Sequence, residues 1–578
     1  MKLIVRYCKP YGWRMLGGLM IKIIGTFADL GLPWVLSYIL DEVVPKEQIR
    51  PVLYWGILMF VLAVTARWMN IAANRLASQV ARDVTRNVRH DLFVKTMDLS
   101  GRQTDRLHIP SLVSRMTSDT YNIHQVIGMM QRLGVRAPMI LFGGIIITAT
   151  LEPVLTLVLV CLLPILGGLI FYISVKGIPL YKKVQDSMDS MVRIMRENIS
   201  GIRVIKALSK TDYEKERFFA ANREMVGREL HAGHVMSLSG PVMSFLLNLG
   251  LTLVIIVGAY RVNGGMTQPG KIVAFLSYFT MILNAVIMIN RIFMVMSKAT
   301  ASAGRIDEVL QSPKELLLTK AEETYGCSKN VPHIEFRNVS FGYHAKPGEV
   351  EKYCIHDISF KIMHGESLGV IGATGSGKTT LLNLLMRFYD VAEGNILIDG
   401  RDIREIPLPE LRSRFGVVFQ NDVVFADTLR ENIVFGRDIS EEEAESAAEN
   451  AAAKGFIMEK SDGFSHKAAI KGANLSGGQK QRLLVSRALA GHPEMLLLDD
   501  SSSALDYKTD ALIRGNIREN YKDTTTVLVA QRTSSVMQMT HILVLEEGEC
   551  IGYGTHEELM KTNAVYQEIA NLQMGAIE

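Results

Sequence analysis

The residues of this 578-residue chain with the plainest chemical purpose are the eight of GATGSGKT, Gly372 to Thr379. They follow an apolar run ending at Ile371 and open the helical pattern TLLNLLMRF, which begins at Thr380. Gly372, Gly375 and Gly377, with Thr374 and Ser376 among them, let backbone N–H groups wrap phosphate oxygens. Lys378 reaches the terminal phosphates and the Thr379 hydroxyl binds magnesium. Downstream, MLLLDD places Asp499 at the end of an apolar run, where a carboxylate can hold Mg2+ through water. A surface-turn aspartate would fit poorly after four apolar residues. The two motifs together predict a site for a nucleoside triphosphate and Mg2+.

Such a site needs a sheet to carry it, and the sequence supplies one. IEFRNVSF from Ile334, SLGVIG from Ser367, MLLLDD from Met495, TVLVAQ from Thr526 and HILVLEEG from His541 alternate with helical stretches. That alternation predicts an α/β domain over 333–578 with a largely parallel sheet. A polar, aperiodic segment, 311–332, reads as a linker. Before it, over 1–310, lie apolar stretches long enough to cross a bilayer, near 15–43, 53–73, 126–149, 154–175, 242–262 and 270–295. Six spans make an all-α membrane domain. The long connections after the second and fourth spans carry Arg82, Arg86, Arg89, Arg102, Arg106, Lys182, Lys183, Arg203, Lys206 and Lys210, whereas the short ones around Pro45, Glu152 and Gly264 are poor in Lys and Arg. The positive-inside rule therefore puts both termini and the α/β domain in the cytoplasm, in a multi-pass protein of the cytoplasmic membrane. Lys2, Arg6, Lys9 and Arg14 before the first span, with no small-residue cleavage site close behind, read as an uncleaved anchor.

Composition agrees. A mean hydropathy of +0.17 with 21% charged residues suits a membrane protein. A net charge of +4 is too small to imply nucleic acid. Cys8, Cys161, Cys327, Cys354 and Cys550 lack the spacing of a zinc site or a disulfide framework and are expected to be reduced.

A third motif is the most specific. LSGGQ, Leu475 to Gln479, followed by KQR, resembles the signature of the ATP-binding-cassette family. Other motifs of that family stand in order: Tyr343 in FGYH resembles the aromatic that stacks on adenine, Gln420 in VVFQND resembles the Q-loop glutamine beside magnesium, and SALD, Ser503 to Asp506, resembles the D-loop. SRMTSD at Ser114 to Asp119 and ENISGIRVIKAL at Glu197 to Leu208 are similar to the exporter-type membrane domain, so the resemblance spans the chain. It implies a half-transporter that binds ATP and Mg2+ and works as a dimer. Two cassettes would meet head to tail, and Ser476, Gly477, Gly478 and Gln479 would then act on nucleotide held by the partner. Short helices near Asp105 to Leu112 and Ser209 to Glu216 would carry closure to the membrane helices. Fusion of the cassette to the spans favours export over import. The chain opening at its first span disfavours a peptide exporter with its own leader peptidase.

Two positions depart from the family pattern. Asp500 follows Asp499 where the family usually has the Glu that activates water, and Gln531 in VAQRTSS stands where it has the H-loop histidine. Aspartate withdraws its carboxylate by roughly 1 Å, a shift that can cost on the order of a hundredfold in rate. Glutamine offers no titratable imidazole. AAIKGAN before the signature also lacks the acidic residues common in the family's X-loop. The combination resembles the degenerate-site subunit of heterodimeric bacterial multidrug exporters, whose partner would carry the intact Glu and His. A homodimeric exporter, a lipid or lipopeptide flippase and a regulatory nucleotide-binding subunit are the alternatives. The expected cargo is a small amphiphilic molecule. Within the spans, Lys22 is expected to snorkel and Arg67, Arg132 and Arg136 to lie in the headgroup zone. Asp29 sits mid-span as a candidate for attracting cationic substrates. Phe275, Tyr278, Phe279 and Met281 are read first as packing and second as a drug-binding face.

Overall fold

The computed structural model describes residues 1–316, 318, 331–343 and 353–574, in two compact units. Met1–Met97 and Pro110–Ser312 form the first, and Asp98–Ile109 and Pro313–Glu578 the second. Residues 317 and 319–330 of the expected linker, and Cys327 among them, lie outside the described residues. The other four cysteines are unpaired.

The first unit is helical because a bilayer leaves backbone groups no partner but their own helix. Helical runs over Lys2–Lys46, Ile49–Met97, Ile109–Leu151, Thr211–Asn263 and Pro269–Leu310 are long and apolar enough to cross a membrane, and the apolar Pro153–Leu169 stretch opens the helix Pro153–Ser200. Several run far past the membrane. Ile49–Met97 has 49 residues, where roughly 20 cross the hydrocarbon.

The loop tips differ from expectation in register. The first short helix is Gly101–Leu107, started by a capping box in which Ser100 and Gln103 satisfy each other's backbone N–H groups and stopped at His108, whose φ is 58°. The second is Ile202–Ala207, while Ser209, at φ 54°, turns the chain into the long helix Thr211–Ser237. The first tip belongs to the second unit. Ser100 Oγ donates to Glu315 at 2.5 Å, Gln103 Nε2 to the Pro313 carbonyl at 2.8 Å, and Tyr389 OH to Asp105 at 2.6 Å. A Cβ on Gly101 would stand 2.9 Å from the Tyr389 ring, so glycine is what allows the approach.

Two of the charges within the spans have partners on neighbouring helices. Arg136 and Asn70 both donate to Asp29, at 3.0 and 3.1 Å. Lys22 is only 2% exposed and donates to Asn74 at 3.1 Å. This corrects three expectations: Lys22 does not snorkel, Arg136 does not stay in the headgroup zone, and Asp29 is neutralised within the bundle instead of standing free for a cationic substrate, because an unpaired charge at that depth is costly. Phe275, Tyr278 and Phe279 are fully buried with Leu155 and Leu159, and Tyr278 OH donates to the Leu30 carbonyl. They are packing.

Among its described residues the second unit contains ten strands: β1 (Ile334–Phe341), β2 (Ile355–Ile362), β3 (Ser367–Gly372), β4 (Glu393–Ile398), β5 (Arg401–Asp402), β6 (Phe415–Val418), β7 (Met495–Asp499), β8 (Thr525–Val529), β9 (His541–Glu546) and β10 (Glu549–Gly554). One sheet has the order β10-β9-β3-β8-β7-β6, parallel except for the β9–β10 hairpin. A second, antiparallel sheet runs β2-β1-β4-β5. β1 therefore pairs away from the parallel sheet that was expected to include it, and its burial, with polar Arg337 and Asn338 exposed, is that of a one-sided antiparallel strand.

The exporter-like SRMTSD segment forms a buried ionic joint in the first unit. Asp119 is 2% exposed and accepts from Ser302 at 2.8 Å and from Arg305 Nε at 2.8 Å, while Arg115 donates to the Arg305 carbonyl at 2.7 Å and pairs with Glu308 at 2.9 Å. Burial alone would raise the Asp119 carboxyl, but the hydrogen bonds from Arg305 and Ser302 and the charges of Arg305 and Arg115 outweigh it and hold it below its ordinary value. A lowered folded value stabilises fully above the unfolded carboxylate value of about 4 and is lost as pH falls through the lower one. Asp119→Ala is expected to cost about 2–3 kcal/mol and to flatten the acid limb of melting temperature against pH. Differential scanning fluorimetry of the full chain checks both.

Candidate ATP site

The phosphate-binding loop lies where β3 ends, between two strands that bury it on either side. β3 is flanked by β8 and β9, so the chain leaves the sheet at Gly372 and turns through Gly375 and Gly377, both at positive φ, into the helix Lys378–Leu385. Lys378 Nζ donates to the carbonyls of Gly372 and Ala373 at 2.9 and 2.7 Å and lies 3.4 Å from Ser376 Oγ, which keeps the ammonium inside the loop. Burial pulls the Lys378 ammonium below the ordinary lysine range, and Asp499 and Asp500 pull it back. Thr374 and Thr380 sit at the loop and in the first helical turn, and the Tyr343 hydroxyl is 3.2 Å from Thr380 Oγ1. The Tyr343 ring is 42% exposed and edge-on to Phe341 and Tyr389, a fixed aromatic surface beside the loop.

β7 delivers two carboxylates to the same place. All five of its residues are buried. Asp499 accepts from Thr379 Oγ1 at 2.9 Å. Burial raises the Asp499 carboxyl, and the neighbouring Asp500 raises it further against the opposing Thr379 bond and Lys378 charge. A hydroxyl and a buried carboxylate with excess negative charge next door are hard oxygen donors that suit Mg2+. Gln420 is exposed in the turn after β6, with no bond to either.

Asp500 and Gln531 meet. Asp500 leaves the strand at φ 50°, its N–H bonded to the Val529 carbonyl at 2.9 Å, and Gln531 Nε2 donates to Asp500 Oδ2 at 3.0 Å. Burial raises the Asp500 carboxyl, while Arg532, Lys378 and the Gln531 bond lower it. One of its two carboxylate oxygens is therefore engaged by the Gln531 amide. Two supports were missed in the sequence. Gln573, in the C-terminal helix, accepts from Thr533 N at 2.6 Å and donates to the Gln531 carbonyl at 2.9 Å. No local motif marks it.

The signature begins a different element. Ser476 caps the helix Gly477–Leu489, its hydroxyl accepting from Gln479 N and its own N–H bonded to the Gln479 side chain. Ser476 and Gly477 are exposed, so the helix presents a positive N-terminus to solvent. A Cβ on Gly477 would stand 3.3 Å from Ala504 Cβ, and one on Gly478 3.3 Å from the Ala504 carbonyl. The D-loop therefore rests on the signature glycines. Gln481, the second missed support, clasps it: Nε2 donates to Ser503 Oγ at 2.9 Å and Oε1 accepts from Ala504 N at 2.8 Å. Its signal was the KQR that follows LSGGQ.

Comparison with known proteins decides the family. Residues 15–286 match the ABC transporter transmembrane region and 355–503 the ABC transporter domain. Over 576 residues the chain is 32% identical to the uncharacterized ABC transporter ATP-binding protein YfiB of Bacillus subtilis, covering 100% of this chain and 99% of the relative. The chain belongs to the ABC transporter family. It is 30% identical to the putative multidrug export ATP-binding/permease protein YgaD of Bacillus subtilis, covering 99% of each. A solved bacterial Atm1-family ABC exporter with ATP bound shares the fold, with a TM-score of 0.79 at 24% identity over 97% of this chain and 98% of the other. This ABC exporter is a multi-pass membrane protein with a C-terminal cytoplasmic ATPase domain, and it couples ATP hydrolysis to export.

Gln481→Leu keeps the side-chain size and removes both D-loop bonds, together about 1.4 kcal/mol or tenfold in rate. ATPase of the assembled transporter is expected to fall about tenfold, with equilibrium binding of a fluorescent ATP analogue at this chain's own loop unchanged.

Proposed function

We propose that this exporter is the degenerate-site subunit of a heterodimer that moves small amphiphilic, drug-like molecules out across the cytoplasmic membrane. The observation that carries the reading is the Gln531–Asp500 hydrogen bond. A short carboxylate, with one oxygen taken by an amide, is poorly placed to orient attacking water. In this reading Tyr343 stacks on the adenine and the Gly372–Thr380 segment grips the phosphates. Thr379 and Asp499, with Gln420 from its turn, would hold Mg2+, which supplies charge neutralisation at the phosphates when bound. Lys378, released from the loop carbonyls, holds the terminal phosphate. The site then binds ATP well and turns it over slowly. Ser476, Gly477, Gly478 and Gln479, on their exposed helix N-terminus, complete the competent site of a partner half-transporter that carries the usual Glu and His.

The cargo class rests on two supports. The relative YgaD is named as a putative multidrug export protein. An open apolar cavity of about 540 Å³, lined by Leu32, Pro33, Leu36, Gly56, Met59, Phe60, Ala63 and Ser277, offers hydrophobic contact without a charge. The membrane lipids that surround the spans are the medium from which such molecules partition.

The division of labour is testable in the purified complex. Asp500→Asn is expected to leave most ATPase intact, since its site contributes little turnover. Ser476→Arg is expected to abolish it, because a bulky cation displaces donors worth about 3–4 kcal/mol to the transition state. Loss of most activity in Asp500→Asn would instead indicate an ordinary homodimer with an aspartate base.

A further inference from the structure

At the end of the parallel sheet opposite the phosphate loop, three turns bring together side chains that nucleotide chemistry does not use. His333 immediately precedes β1, His364 lies in the turn between β2 and β3, and Asp399 in the turn after β4. A ring nitrogen of each histidine and a carboxylate oxygen of Asp399 all lie within 4.8 Å of one another. The two histidines border a cavity of about 320 Å³ that His492 and Glu494 also line.

The arrangement is prepared for a ligand. His333 is 1% exposed, and its Nδ1 lies 2.7 Å from Thr525 Oγ1. That hydroxyl also accepts from Gly365 N. Thr525 Oγ1 gives its own proton to the Met363 carbonyl at 3.4 Å and so accepts from His333 Nδ1–H; that tautomer leaves a lone pair on Nε2, which is buried with no hydrogen-bond partner. A buried acceptor without a partner is an unusual feature that asks for an occupant.

We propose that His333, His364 and Asp399 form a binding site for a divalent transition metal, Zn2+ foremost, with the fourth position open to water. Two imidazoles and a carboxylate with an open position are a familiar ligand set for that ion. His364 Nε2 and Asp399 Oδ1 already face each other at 2.8 Å, and tetrahedral coordination needs them about 3.3 Å apart. The two imidazole rings stack at 3.8 Å with an 11° tilt, so binding requires His364 to swing until its nitrogen meets the plane of His333. Its side chain is 60% exposed and free to do so. Asp399 is steadied by Arg414, which also holds Glu494 at 2.5 Å; with Asp523 and Lys522, which line the cavity too, three carboxylates face two cations and favour a bound cation. The metal would pin the start of β1 to the β2–β3 and β4–β5 turns, tying the antiparallel sheet to the parallel one where the linker enters the domain. This site goes beyond the exporter reading and does not depend on it.

The test uses the full chain in lipid nanodiscs, with its purification tag removed, chelator-treated and free of nucleotide, in an Asp499→Asn background that disables the nucleotide-site cation ligand. Calorimetric titration with Zn2+ is expected to show one ion per chain, and saturating Zn2+ to raise the melting temperature by several degrees. Mg2+ at the same concentration is expected to do neither. His364→Ala, at an exposed position that should leave folding intact, is expected to weaken Zn2+ binding at least tenfold and to erase the melting shift, and Co2+ should show tetrahedral visible absorption that the same variant loses. Absence of Zn2+ binding, or binding with unchanged affinity in His364→Ala, would overturn the proposal.

Discussion

Burial of β7 between β6 and β8 is the constraint on which the ATP site depends. With all of Met495–Asp499 inside the sheet and in register with strands on both sides, the point at which the chain emerges is fixed, and so are Asp499 and Asp500. The phosphate loop reaches that point through Thr379 and the chain after β8 through Gln531. Parallel strands place all these ends on one edge of the sheet, where phosphate-binding backbone, magnesium-suited oxygens and a base can converge. The D-loop then leaves Asp500 and lies on the signature glycines, so the residues that serve this chain's own nucleotide are joined by a few bonds to those that face away from it.

A second constraint governs the membrane unit. Ionisable groups inside the spans are retained only where they find partners, and Asp29 with Arg136 and Asn70, and Lys22 with Asn74, meet that demand by joining the first, second and third spans. The Asp119–Arg305 joint does the same for the long extensions of the third and sixth spans. These charges organise the bundle, and the cargo reading rests on apolar surface instead.

Most of the site was legible because its motifs are local. Gly372–Thr379, Leu475–Gln479 and the apolar run before Asp499 each encode their geometry within a few residues. Of the six expected spans, five coincide with helical runs long and apolar enough to cross a membrane among the described residues, and the fourth with the shorter apolar stretch Pro153–Leu169. What escaped was long-range. IEFRNVSF carries in Arg337 and Asn338 the mark of a one-sided strand, but nothing local to it names β2 and β4 as its partners. Gln573 supports Gln531 across 42 positions, and Lys22 and Asp29 could be placed on one helix face but not matched to partners on other helices. The helical tips, placed by resemblance alone, fall several residues earlier because the capping box at Ser100 and the turn at Ser209 set their bounds.

The central claim is that Asp500 and Gln531 together make this chain's own site slow while leaving ATP binding intact. The most direct measurement is steady-state ATPase of the purified lone chain beside its Asp500→Glu/Gln531→His double variant, with ATP affinity measured for both. The account predicts tight binding in each, little turnover in the wild type, and a rise of about a hundredfold in the variant as the carboxylate regains its reach and an imidazole replaces the amide. Brisk hydrolysis by the wild-type lone chain, unchanged or lowered in the double variant, would contradict it.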